Sequence, residues 1–351
     1  MGLIHPVDLS EWHRWQEAQR PFAARLKGRL AALRGTRTKG VLTKGGAAPR
    51  ILIALEAVKA TTVAAQLAPL HHLPLDDVAI LAPTSIVDLL PSHAWVESHG
   101  ELAALAHEVV HDSSVVLSTG DYLGVGAATR TALADRTRFV TVQHGLLTPH
   151  APPLAEWTTV LAWTEDDGHF WRSGRPNIGV RTVGAQLLWE AAHPVTGPPE
   201  PLSDAERAAP PIYLGQLHGA ELPRDALAAS ARDFCLSTGA TYRPHPSETD
   251  KASVASHAAW AADGIRIDRS RLPLTHLRRP VVSVYSTGVL EAAAAGLGAW
   301  VHFEDPPAWL ADFWDRQGMS RWGKQPTRPS ALPSVEPAAS IASVLQEMLS
   351  S

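Results

Sequence analysis

The chain contains a single cysteine, Cys235, among 351 residues. That excludes an intramolecular disulfide and a cysteine-based zinc site, and it fits a reducing compartment. No run approaches the ~18 apolar residues needed to span a bilayer. Residues Met1–Asp8 lack a cationic stretch followed by an apolar one, which argues against a secretory signal. The expected location is the cytoplasm. No Gly-x-Ser-x-Gly elbow is present, which weakens a serine-hydrolase reading. There is neither a Gly-Lys-Ser/Thr phosphate loop nor a dinucleotide glycine fingerprint. The 17 histidines lack ligand spacing such as His-x-x-x-His beside an acid, so no metal is expected. Net charge is only −4, which gives no overall nucleic-acid signature.

What is present describes a globular protein, with 45% hydrophobic and 19% charged residues. The length suffices for two domains of ordinary size. Basic residues cluster near the start, from Arg14 to Arg50, against Glu11 and Glu17. Trp12, Trp15, Phe22, Leu26, Leu30 and Leu33 recur at helical spacing, which predicts a helix over 10–34 with one apolar face. That face packs on the protein, or else rests on an anionic membrane as a peripheral contact. The stretch 35–49 is Gly-rich and basic and is expected to be a mobile connection.

From 50 onward, short apolar strands alternate with helices. Strands are predicted at 50–55, 78–82, 115–118, 139–142, 159–163 and 181–183. Helices are predicted at 61–70, 98–111, 124–134 and 165–173. Residues 193–211 contain six prolines and are the best linker candidate. The pattern then restarts, with strands at 212–214, 240–242, 265–267, 281–284 and 299–303. The second set of helices falls at 224–236, 251–262, 274–277, 289–295 and 339–349. Alternation of this kind indicates βα units and parallel sheets. The expected fold is α/β, with two Rossmann-like lobes and a cleft between them. The expected division is a basic segment 1–49, a lobe 50–192, a linker 193–211 and a second lobe 212–351.

Candidate site residues lie where strands end, because strand ends in such sheets face the ligand crevice. His245 is locked between Pro244 and Pro246 after a strand. Arg243 lies two residues earlier in extended chain, so it points to the same side. Ser286, Thr287 and Gly288 open a helix, whose N-terminal amides favour an anion. A rigid imidazole and a hydroxyl-rich helix start suit a phosphate-bearing ligand. A Pro-rich surface turn and an ordinary Ser N-cap explain the same residues without function. Glu291 sits in the first turn of that helix, where the dipole favours an acid. Gly215 and His218 lie in a Gly-flanked loop after a strand. Gln143-His144-Gly145 ends a first-lobe strand, and a histidine there can take a proton near neutral pH. The other reading of His144 is a buried ring bonded to a carbonyl. Asp166 and Asp167 follow Thr164 at a helix start. They suit either a catalytic carboxylate or a capping arrangement, and the capping reading is preferred. His150 and the aromatics Trp309, Phe313 and Trp314 are weaker cleft candidates, packing being the preferred role for the aromatics.

The second half resembles the nucleotide-binding lobe of GT-B glycosyltransferases. More narrowly, it looks like bacterial surface-polymer transferases: sialyl- and polysialyltransferases, capsule transferases for 3-deoxy-octulosonic acid, and teichoic-acid polyol-phosphate polymerases. The likeness rests on His245-Pro246, on Val281–Phe303 and on Gln143-His144-Gly145. It implies a metal-independent glycosyltransferase with a nucleotide-sugar co-substrate, CMP-linked, and a glycan or cell-surface-polymer acceptor. It implies that Arg243, His245, Pro246, Ser286, Thr287 and Gly288 bind the donor and that Glu291 bonds its ribose. His144, or Asp166 or Asp167, would be the base. Two alternatives remain: a CDP-polyol phosphotransferase, and a noncatalytic nucleotide- or glycan-binding protein. The enzyme would work at the inner face of the membrane or free in the cytoplasm.

Overall fold

In the computed structural model, residues 8–19, 38–111, 114–133, 137–194, 201–270 and 272–350 are described. The chain divides into two compact units, one comprising His5–Leu187 with Leu332–Ser351 and the other centred on Leu188–Ala331. Among the described residues, no helix is long and apolar enough to cross a membrane.

The first unit is built on eight strands: β1 (Lys39–Lys44), β2 (Ile51–Ala54), β3 (Val78–Ala82), β4 (Val96–Glu101), β5 (Val115–Ser118), β6 (Arg138–Val142), β7 (Thr158–Ala162) and β8 (Gly179–Thr182). Their order is β4-β1-β3-β2-β5-β6-β7-β8. From β3 to β8 every pairing is parallel. Strands β2, β3 and β5 are buried along their whole length, as continuous apolar strands with both faces covered must be. Alternate side chains serve opposite faces. Ile51 and Ile53 join one core cluster, while Leu52 and Ala54 join the other.

Two expectations fail at one edge of this sheet. The stretch 35–49 contains β1, antiparallel to both β3 and β4. Val41 and Leu42 are buried, and Gly40 is needed there. A Cβ on it would lie 2.2 Å from Leu102 Cδ2 and 2.8 Å from the Ala82 carbonyl oxygen. The helix expected over 98–111 begins only at Leu102, because Val96–Glu101 pairs with β1 instead. The sheet is therefore mixed rather than purely parallel.

The stretch 60–72 is helical but changes from α through π to 3₁₀ turns. Pro69 falls within it, and a proline lacks the N–H that would continue an α-helix. Of the N-terminal helix, Leu9–Gln19 is described, and the rest of the predicted 10–34 lies outside the described residues. Trp12 is buried, and its indole donates to the His150 carbonyl at 2.8 Å. Trp15 stacks on the His150 ring at 4.7 Å. The described part of the tryptophan stripe thus packs on protein.

The domain boundaries also differ from expectation. The C-terminal helix Pro337–Ser350 belongs to the first unit, not to a lobe 212–351. Ile341, Ala342 and Leu345 complete the core over Ile51, Ile53 and Leu117, covering sheet surface that would otherwise face water. The break after Leu187 falls inside the helix Gln186–Ala192, ahead of the predicted linker. Within 193–211, residues 195–200 lie outside the described residues. Asp204–Arg207 forms a helical turn with a Ser203/Glu206 capping box.

The second unit holds a four-stranded, wholly parallel sheet: β9 (Ile212–Leu214), β10 (Thr241–Arg243), β11 (Val281–Ser283) and β12 (Ala299–Val301), in the order β10-β9-β11-β12. The stretch 265–267 contributes one isolated bridge, Ile267 to Tyr242, rather than a strand. A helix that the sequence reading missed, Ala308–Arg316, buries Phe313 and Trp314. The Trp314 indole donates to the Val284 carbonyl. Packing is the role these two aromatics play.

Candidate functional site

In each sheet the chain runs from its first parallel strand to a neighbour on one side, then returns to the other side. The reversal falls between β2 and β5 in one unit and between β9 and β11 in the other. Loops at the carboxyl ends of such strands form the ligand crevice of doubly wound α/β folds. The loops after β9, β10 and β11 carry Gly215–Gly219, Pro244–Glu248 and Val284–Thr287, which include most of the predicted donor residues.

Two of those residues meet face to face. The His218 and His245 rings stack with centroids 3.7 Å apart and planes 14° apart. His245 Nδ1 accepts the Ser247 backbone N–H at 3.1 Å, a local side-chain-to-backbone bond that fixes the ring. Pro246 is exposed. Gln216, just before His218, ties this loop to the next. Its Oε1 accepts the Tyr285 N–H at 2.8 Å and the Ser283 hydroxyl at 3.2 Å.

Arg243 is turned away from the open edge. Its guanidinium donates to the Leu272 carbonyl and lies 3.6 Å from Asp268. Its positive charge also acts on Glu291. Burial pushes the Glu291 carboxyl up to about 7, Arg243 pulls it down, and Glu190 adds to the rise. Arg243 is thus held by Leu272 and Asp268 and reaches Glu291 only through its field.

Ser286 is the N-cap of helix Thr287–Ala294, and its hydroxyl accepts the Gly288 N–H at 3.1 Å. Thr287 is the first helical residue and is partly exposed. Gly288 serves packing instead of ligand approach. A Cβ there would sit 2.6 Å from Leu214 Cδ1 and 3.0 Å from Leu274 Cδ1. Gly215 likewise leaves room for protein atoms: its Cβ would meet Tyr242 Oη at 2.2 Å and Glu248 Oε1 at 2.6 Å. Glu248 and Gln216 are site-shaping residues that the sequence reading missed. Gln216 lay within a marked loop, whereas nothing in the sequence sets Glu248 apart from a surface acid.

In the first unit, His144 follows β6. It is half-buried, in a depression lined by Thr61, Trp163, Gly184, Gln186 and Ile341 among others. Desolvation, with the Lys59 ammonium second, pushes its pKa down to about 4, so the imidazole is neutral at pH 7. Its neighbour Gln143 is buried and fully engaged. Gln143 donates to Asp167 Oδ2 at 2.9 Å and to the Gly145 carbonyl at 3.1 Å, and it accepts the Trp163 N–H at 2.8 Å. Asp167 is buried, and its N–H bonds the Thr164 hydroxyl at 3.0 Å, which makes Thr164 the N-cap. Asp166 is exposed on the first helical turn. The two acids are therefore helix-start residues, one locked and one solvated.

Among the described residues, no group of three or more His, Cys, Asp or Glu side chains is arranged to hold a metal. No protein-family model and no curated protein sequence matches the chain.

Proposed function

We infer that the protein is a GT-B-type transferase that takes a group from a cytidine-nucleotide donor. The donor phosphate is bound at the carboxyl edge of the four-stranded sheet. The observation that carries this reading is the His218–His245 stack beside the β9/β11 reversal. Two imidazoles on neighbouring loops supply ring N–H donors to a leaving phosphate, where charge develops during transfer. The partly exposed Thr287 hydroxyl at a helix start adds a neighbouring donor. His144 is the base toward an acceptor hydroxyl on a glycan or surface polymer. Burial keeps it in the neutral form at physiological pH, the form a base needs, at the cost of a lowered basicity.

The engagement of Asp167 with Gln143 and Thr164 favours histidine chemistry over a carboxylate base. It gives weight to a second reading, a CDP-polyol phosphotransferase, in which phosphorus instead of an anomeric carbon is attacked. Release of CMP from a CMP-activated sugar and from a CDP-polyol, followed with and without acceptor, separates the two. His144→Ala is expected to abolish turnover of the true donor, and Asp166→Asn to retain it. Loss in Asp166→Asn with retention in His144→Ala would overturn the assignment of the base.

A further inference from the structure

The loops that bear the two stacked histidines share one buried anchor. Glu248 lies three residues after His245, and its side chain is removed from solvent. Its Oε1 accepts the Leu217 N–H at 3.0 Å, one residue before His218. Its Oε2 accepts the Tyr242 hydroxyl and faces His257 Nε2, each at 2.9 Å. Its own N–H donates to the His245 carbonyl at 2.8 Å. The other side of the Leu217 peptide is held as well. Arg224 donates to the Leu217 carbonyl at 2.6 Å and to Ser253 Oγ at 2.8 Å, and Ser253 is tied to Asp250. Gly215 has no side chain because Tyr242 and Glu248 occupy that space.

A buried carboxylate is tolerated only when donors satisfy it, and three converge here. Only one of them, Tyr242, comes from the strand beneath. The Leu217 N–H comes from the His218 loop and His257 from the following helix. The arrangement therefore does more than fill a core. It sets the distance between two loops that otherwise touch through ring faces.

We propose that Glu248 is the positioning residue of the donor site: it holds the Leu217 peptide and the His245 loop in register so that His218 and His245 stack. This rests on the functional reading above only for the ligand, not for the geometry. The contribution is hydrogen-bonding reach and not charge alone. Glu248→Gln keeps an acceptor at the same length, while Glu248→Asp keeps the charge but withdraws it from Leu217.

The test uses the full chain. The His218 and His245 ring protons are followed by NMR, since stacked rings shield one another, and CMP binding is followed by calorimetry. Glu248→Asp is expected to lose the mutual shielding and to weaken CMP more than tenfold. Glu248→Gln is expected to keep both within about threefold of wild type. Arg224→Met, which releases the Leu217 carbonyl together with the Ser253 and Asp250 contacts of the arginine, is expected to reduce the shielding with Glu248 intact. Unchanged ring shifts in a folded Glu248→Asp protein, or in Arg224→Met should the first variant not fold, would overturn the proposal. A wild-type protein that binds no CMP would sink the donor reading, while the ring shifts would still decide the role of Glu248.

Discussion

The Gln143 side chain donates to Asp167 Oδ2 at 2.9 Å in a buried setting, and this bond joins the end of β6 to the helix Glu165–Arg172. Removing the Asp167 side chain leaves the buried Gln143 amide short of this acceptor, while the Thr164 cap on the backbone N–H of residue 167 is kept. Asp167→Ala is expected to cost on the order of 2 kcal/mol in urea unfolding. Exposed Asp166→Ala should change stability by no more than about 0.5 kcal/mol. Equal effects would contradict the division of labour between the two acids.

His144 has its pKa pushed down to about 4, below the ordinary 6.5. Between those values an unfolded chain binds a proton that the folded one refuses, so folding stability falls as pH drops from 6.5 toward 4. His144→Gln is expected to unfold less readily than wild type at pH 4.5 and to match it at pH 8. For turnover, the acid limb due to this base is expected near pH 4, not 6.5. A limb at 6.5 that His144→Gln abolishes would contradict the desolvated site.

Glu291 shifts the other way, with its carboxyl pushed up to about 7 by burial. The folded protein keeps a proton that the unfolded chain gives up above its ordinary 4.5. Stability therefore declines as pH rises from 4.5 to 7 and is flat beyond. Glu291→Gln removes that penalty. Thermal unfolding should show it more stable than wild type at pH 8, by on the order of 3 kcal/mol, and indistinguishable at pH 4. A gain that is constant across pH would point to packing instead.

Gly288 is expected to reject even one methyl group. A Cβ would press on Leu214 and Leu274 from 2.6 and 3.0 Å, so Gly288→Ala should destabilise by about 1–3 kcal/mol. Combining it with Leu274→Ala, which clears one neighbour, should cost less than the sum of the two single changes. Strict additivity would show that the contact is not what excludes a side chain.

Much of the fold is legible in the sequence where burial is two-sided. Val78–Ala82, residues 115–117 and Ile212–Leu214 are uninterrupted apolar runs, and strands occupy those residues. Legibility fails at β1 and β4. There only Val41 and Leu42 mark a strand among glycines and lysines, and its partner, Val-Glu-Ser-His-Gly-Glu, is polar because it lies on an edge. The return of Ile341 and Leu345 to the first unit is a long-range pairing with no local signature. At the site, strand ends pointed to His144, His218 and His245. The anchors Glu248 and Gln216 work through contacts between loops that are distant in sequence, and no periodicity reports them. Ser286 and Thr164 carried a capping reading from the start, and both are caps.

Calorimetric titration of CMP, CDP and UDP into the wild-type protein and His245→Ala tests the central claim most directly. The account predicts saturable binding of a cytidine nucleotide to wild type, weakened at least tenfold by His245→Ala with Tm unchanged. Absence of binding by all three nucleotides, or equal binding to His245→Ala, would contradict it.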